Sequence, residues 1–222
     1  MDIFSTKAAD NCNGIDAMVD LETLGVTENA PIISIGAVLF DPQGNDTFEA
    51  LYERAFLRLI DIEDSINVCG PVEGGTLKWW MGQKDEAIKR LITGEVVSLR
   101  AALIDLYIYT HVRGDRNPTI ANLPLPTRIW AKGPDFDCTK LDAACRKLKI
   151  KDPFFFSTRR CVRTAQDFGF PDGEVPQFSQ GVHHDARDDA VNQALMVQAC
   201  YRALGLGRDG VQFHKQTVGI AS

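Results

Sequence analysis

No stretch of the 222-residue chain reaches about 18 consecutive apolar residues, so nothing in it reads as a membrane-spanning helix. The start, Met1-Asp2-Ile3-Phe4-Ser5, lacks the basic and apolar blocks of an export signal, and a cytoplasmic location is expected. Cysteines are few: Cys12, Cys69, Cys138, Cys145, Cys161 and Cys200. They form no C-x-x-C pair and no zinc-like Cys/His spacing, which argues for reduced, buried thiols over disulfides or a zinc site. There is no G-x-x-x-x-G-K-[ST], so the glycines between Gly70 and Gly75 give no case for a phosphate loop. Internal repeats are also missing. Positive charge is in deficit, with 24 Lys and Arg against 30 Asp and Glu, a net of -6. That deficit counts against nucleic acid as a partner, because phosphate affinity comes largely from Lys and Arg. It does not exclude one. Where carboxylates gather, bound divalent ions reverse the local sign, and the basic residues then need only line one groove.

What is present is the composition of an ordinary soluble globular protein, 45% hydrophobic and 24% charged, enough for one domain with a substantial core. The pattern divides into a loose N-terminal arm (1–14), a domain (15–204) with a proline-bearing surface insertion (113–126), and a C-terminal tail (205–222). Strands are expected from Ile15 to Glu22, from Pro31 to Asp41 and from Phe48 to Phe56, three in succession as an antiparallel meander. Helical periods follow at Thr76 to Gln83, at Asp85 to Ile92 and behind a Ser98 cap. After the insertion come a short strand (Thr127 to Ala131), a helix (Thr139 to Leu148), a strand over the aromatic run Phe154 to Phe156, and helices at Arg159 to Phe168 and Asp185 to Leu204. The expected fold is α/β: a mixed sheet, the meander followed by two further strands, covered by helices.

Within that frame the acids are placed unevenly. Asp20 and Glu22 are one residue apart, so on a strand both carboxylates project to the same side. Their repulsion raises both pKa values unless a cation sits between them, which points to a hard metal that prefers oxygen. Asp137 falls where a short strand gives way to a helix, beside Gly133-Pro134. Asp189 lies on the last helix, five residues after His184, within about a turn and a half. Asp135, Asp185 and Asp188 read as acids at helix N-termini, favoured there by the helix dipole.

Asp20-Leu21-Glu22-Thr23, Gly133-Pro134-Asp135-Phe136-Asp137 and His184-Asp185-Ala186-Arg187-Asp188-Asp189-Ala190 resemble, in order, the three motifs of the DEDDh 3′ to 5′ exonucleases. Further similarity at Ala30 to Val38, Thr76 to Trp80 and Arg160 to Thr164 is greatest to the branch of phage DexA-type exodeoxyribonucleases and adenosine-specific bacterial ribonucleases. The resemblance covers about residues 15–204 and implies an RNase H-like sheet. It implies that Asp20, Glu22 and Asp189 ligate one metal ion, that Asp20 with Asp137 through water holds a second, and that His184 is the general base. Oxygen-only ligands favour Mg2+ or Mn2+ over zinc. The spacing alone also fits His183 with Asp188; the family pattern, with Ala186 and Ala190 in place, selects His184 with Asp189.

The implied activity is hydrolysis of single-stranded 3′ ends to nucleoside 5′-monophosphates, with DNA favoured over RNA. An exoribonuclease using the same site is the alternative, and a catalytically silent nucleic-acid-binding module is a third reading. In similar enzymes the position of Thr23 and Leu24 contacts the terminal nucleotide through backbone N–H and an apolar side chain. Trp79 and Trp80 are adjacent, so only one can turn inward, and Trp80 is assigned the stacking face for a base. Arg160 and Arg163, three apart in the expected helix, are candidates for holding phosphates.

Overall fold

The computed structural model describes residues 14–112, 123 and 125–208. The expected arm apart from Gly14, most of the 113–126 insertion and the tail from 209 onward lie outside the described residues.

The centre is a pair of antiparallel strands, β1 (Asp16–Thr23) and β2 (Ile32–Phe40), in which every residue of β2 is buried. Burial on both faces explains why Ile32 to Phe40 reads as a continuous apolar run. On β1, Ala17, Val19 and Leu21 enter one core cluster while Met18 enters another on the opposite face. Asp20 and Glu22 share the parity of Met18 and so its side of the sheet.

The remaining elements follow in order: α1 (Phe48–Tyr52), β3 (Phe56–Ile60), α2 (Ile62–Val68), α3 (Gly74–Trp80), α4 (Asp85–Thr93), β4 (Val96–Val97) and α5 (Leu99–His111). After the insertion come β5 (Ile129–Ala131), α6 (Pro134–Leu148), a 3-10 turn (Phe156–Thr158), β6 (Arg159–Cys161), α7 (Val162–Gly169) and α8 (Ala186–Ala203). The sheet order is β4-β3-β2-β1-β5-β6. β2 pairs antiparallel with β1 and β3, and the pairs β3–β4, β1–β5 and β5–β6 are parallel. Leu99, Leu103 and Leu106 of α5 and Leu141 of α6 fill one face, and Val191, Ala194 and Val197 of α8 fill the other.

The mixed, helix-covered sheet agrees with the α/β expectation, but its boundaries differ. Phe48 to Tyr52 is a helical turn and not the start of a third strand; Thr47 Oγ1 caps it by accepting from Ala50 N at 3.2 Å. The strand begins only at Phe56. The aromatic run also fails as a strand, since Phe154 is buried while Phe155 and Phe156 are 66% and 70% exposed. Pairing with β5, Trp130 opposite Arg160, instead draws Arg159–Cys161 into the sheet as its edge. With the two-residue β4 added, the sheet has six strands where five were expected.

One close approach positions the site. Gly36 stands opposite Asp20 in the β1–β2 register, and a Cβ at Gly36 would meet Ala186 O at 1.9 Å. The missing side chain lets the N-terminus of α8 come down onto the strands beside the two acids.

Candidate active site

Four carboxylates converge where β1, the start of α6 and the start of α8 meet. Asp20, Glu22 and Asp189 each offer an oxygen, and the three lie within 4.8 Å of one another. Asp137, in the first turn of α6, accepts from Leu21 N at 3.2 Å and so sits beside the strand that carries the pair. Among the described residues no Lys or Arg forms a salt bridge with any of the four. Burial, then the charges of Asp137, Glu22 and Asp189, pushes Asp20 well above the usual carboxylate range. Burial, then Asp189 and Asp137, takes Glu22 to about 8, and burial takes Asp137 to about 7. Asp189 is raised as well, again chiefly by burial. So many desolvated carboxylates cannot all ionise together without a cation, and an oxygen-only donor set fits a hard divalent ion.

Stability should record this. A carboxyl whose folded pKa is raised keeps its proton longer in the folded state than in the unfolded chain, so stability falls as pH climbs through the interval between the two values. For these acids the interval runs from the ordinary carboxylate range to about 8. The expected result is a metal-free melting temperature that drops between about pH 4 and 8, and a saturable rise with Mg2+ or Mn2+ that is largest at the alkaline end. Thermal melts in EDTA that do not change with pH would sink the cluster's electrostatics as described.

Gln193, one turn beyond Asp189 on α8, donates from Nε2 to Asp20 Oδ1 at 2.7 Å and fixes that carboxylate. The i, i+4 spacing from Asp189 was the available sequence signal for it. His184 stands in the left-handed region with φ of 66°, in the turn just before α8. Its backbone N–H donates to Asp189 Oδ2 at 3.1 Å, and its Nδ1 lies 4.0 Å from Glu22 Oε1. Burial first, and His183 second, holds its pKa below the ordinary histidine value. His183 is 73% exposed, with Nδ1 3.8 Å from Asp189 Oδ2.

The alternative partner for His183, Asp188, is engaged elsewhere: its Oδ2 accepts from Val182 N at 2.7 Å and pairs with Arg90 Nη1 at 2.9 Å. Arg90 of α4 also holds Asp185 at 3.0 Å, tying α4 to the His184 turn. No pattern in the sequence linked these distant residues. Asp185 caps α8 by accepting from Arg187 N and Asp188 N, and Asp135 is exposed in the first turn of α6, so both act as helix-start acids.

Three expectations for substrate contacts need correction. Trp80 is only 6% exposed, its indole N–H donating to Thr23 O at 3.0 Å, so it has no free face for a base. Trp79 is the exposed indole, at 44%, with its ring edge-on to His184 at 4.7 Å between centroids. The two indoles exchange roles because α3 ends at Trp80 over the cluster of Leu24 and Ile33. Leu24 is buried in that cluster and its N–H donates to Pro31 O, so both of its expected contact groups are used within the protein; the Thr23 hydroxyl donates to Gly25 O, and its backbone N–H is a separate group. Arg160 and Arg163 share no helical face, since Arg160 is on β6 and only Arg163 is helical. Both are exposed, and Arg163 reaches back to Lys132 O beside the start of α6.

The chain as a whole is similar to known proteins. A family model described as a 3′-5′ exoribonuclease Rv2179c-like domain matches residues 15–201. The chain belongs to this family. The exodeoxyribonuclease of Enterobacteria phage T4 is 26% identical over 221 residues, covering 86% of this chain and 91% of that protein. Among solved structures, the nuclease domain of 3′hExo, described as a DEDDh family member bound to rAMP, superposes with a TM-score of 0.55 at 15% identity. The match covers 90% of this chain and 98% of that one. A full-length 3′-exonuclease gives 0.52 at 12% identity, over 86% of this chain and 83% of that one. The protein is thus a 3′-5′ exonuclease of the DEDDh type with an RNase H-like fold. For this exonuclease the spacing of Asp20, Glu22 and Asp189 is the feature around which the rest of the site is arranged.

Proposed function

We propose that the protein removes nucleotides one at a time from single-stranded 3′ ends, releasing nucleoside 5′-monophosphates. The observation that carries this reading is the triangle of Asp20, Glu22 and Asp189 with Asp137 beside it, none of them in a salt bridge with a Lys or Arg among the described residues, next to a histidine whose pKa burial lowers. Asp20, Glu22 and Asp189 would hold one divalent ion and Asp20 with Asp137 a second, Mg2+ or Mn2+. When bound, such a pair stabilises charge on the attacking and leaving oxygens of an in-line displacement at phosphorus. The chain's own groups do the rest. Gln193 keeps Asp20 in one rotamer. His184 accepts the proton of the attacking water at a ring nitrogen, and its lowered pKa leaves that nitrogen free at neutral pH. Trp79, half exposed beside His184, offers the stacking face for the terminal base, and Arg163 stands at the rim to hold a phosphate.

DNA is the first reading for the substrate, supported by the phage T4 exodeoxyribonuclease, whose similarity spans nearly both chains. RNA is the second, favoured by the family's own description as an exoribonuclease domain. The deciding experiment is digestion of matched 5′-labelled DNA and RNA single strands, with EDTA, Mg2+ or Mn2+. A ladder shortening from the 3′ end, dependent on metal and faster on DNA, is expected. Faster RNA decay would transfer the assignment to the second reading, and no decay of either strand in any metal would leave only a binding module.

A further inference from the structure

Positive charge in this acidic protein is concentrated in one place. Residues 146–163 hold seven of the 24 Lys and Arg and one of the 30 acids, so a segment of +6 sits in a chain whose net charge is -6. Part of that charge is consumed internally, as Arg159 pairs with Asp142 at 2.6 Å and Asp152 at 3.4 Å. Lys149, Lys151, Arg160 and Arg163 are all exposed, and none has a carboxylate within salt-bridge distance among the described residues. Between them stand Phe155 and Phe156, 66% and 70% exposed, with ring centroids 4.6 Å apart. Adjacent large apolar side chains held in water call for a reason. Phe155 and Lys151 also line a hollow of about 270 Å³ with Tyr107 and His111.

Arg160, Arg163 and the turn that carries Phe156 lie along one edge of the sheet. Arg160 Nη1 donates to Ser157 O at 3.0 Å, which lays its guanidinium on the turn that carries Phe156. Arg160 belongs to β6, the outermost strand, which runs parallel to β5 and so toward the end of the sheet where Asp137 lies. At that end Arg163 bonds Lys132 O, and its Nη1 would be 2.6 Å from a Cβ on Gly133, the residue that opens α6. From Asp137 to its last residue, Leu148, α6 rises about 17 Å at about 1.5 Å per residue, and the phenylalanine pair begins in the connection beyond that end.

We propose that the β6 edge is a track for the upstream part of the single strand being digested, with Phe155 and Phe156 stacking bases and Lys149 and Lys151 meeting phosphates at its far end. Interleaved cations and exposed aromatic faces are the chemistry that grips a single strand without reading its sequence. A track of this length makes turnover depend on substrate length: a dinucleotide occupies only the carboxylate site, and a strand of a dozen nucleotides also reaches the anchor. This inference rests on the exonuclease reading above.

The test compares wild type with Phe155→Ala/Phe156→Ala on single strands of about 2 and 12 nucleotides. The variant should raise KM for the longer strand about tenfold or more, the range set by losing stacked bases, with KM and kcat for the dinucleotide and the melting temperature unchanged. Lys149→Gln/Lys151→Gln should flatten the log–log salt dependence of binding to the longer strand by about 0.7 for each phosphate that is no longer neutralised. Equal KM changes at both lengths, or none at either, would overturn the track, and so would an unaltered salt slope. Wild-type inactivity on every strand would overturn the nuclease reading and this inference with it.

Discussion

Asp20→Asn is expected to abolish turnover with the fold intact. Asp20 is the carboxylate at the centre: it is flanked by Glu22 and Asp189, it feels the charge of Asp137, and its Oδ1 is held by Gln193. It is the one ligand proposed to serve both ions, so replacing it removes charge from both halves of the site. Electrophilic stabilisation by such ions is worth several kcal/mol. At about 1.4 kcal/mol per factor of ten, the loss in kcat should reach roughly a thousandfold or more. The metal-free variant should melt at the wild-type temperature or above it at neutral pH, because one member of a mutually repelling set has been neutralised. Retention of near wild-type activity by a verified Asp20→Asn protein would remove the metal-site proposal. Loss of activity through unfolding is separated from this by the same melt.

The second large effect is at His184. Removing a general base costs roughly 10² to 10⁴ in rate, and His184→Ala should lie in that range for single-turnover hydrolysis, with substrate affinity little altered. The pH profile distinguishes a base from a packing role. Burial and His183 depress the His184 pKa, so the wild-type enzyme should keep its rate to a pH below the ordinary histidine range before the acidic limb falls. In His184→Ala, measured at saturating metal, that limb should flatten because no imidazole is left to titrate. His183→Ala should retain most activity, since that ring is 73% exposed. The reverse ranking of the two alanine variants would assign the base to His183. Equal mild effects would mean that no imidazole takes the proton.

How much of this was legible in the sequence differs from residue to residue. Asp20 and Glu22 could be paired from the alternation of a strand, a local periodicity. Asp189 was told apart from Asp188 by the resemblance, through Ala186 and Ala190, and the fold brings it within 4.8 Å of the pair beside a turn-borne histidine. Asp137 was reached through the resemblance of its motif, and its bond to Leu21 N spans 116 residues. Local patterning failed where two periods coincide over a few residues. Phe48 to Phe56 alternates well enough for a strand, yet the Thr47 cap and burial of Leu51 made its first half a helix.

The sequence by itself determined the order of the acids, the apolar β1 and β2, the Ser98 cap and the extent of α8, because each depends on residues within one or two turns of one another. Only the tertiary structure decided which indole is buried, that Arg160 lies on an edge strand, and that Arg90 ties α4 to the His184 turn. Each of these depends on a partner contributed from elsewhere in the chain: Thr23 O for Trp80, Trp130 for Arg160, Asp185 and Asp188 for Arg90. A side chain's local period gives its direction relative to its own helix or strand, but what it meets there is set by the packing of the elements against each other.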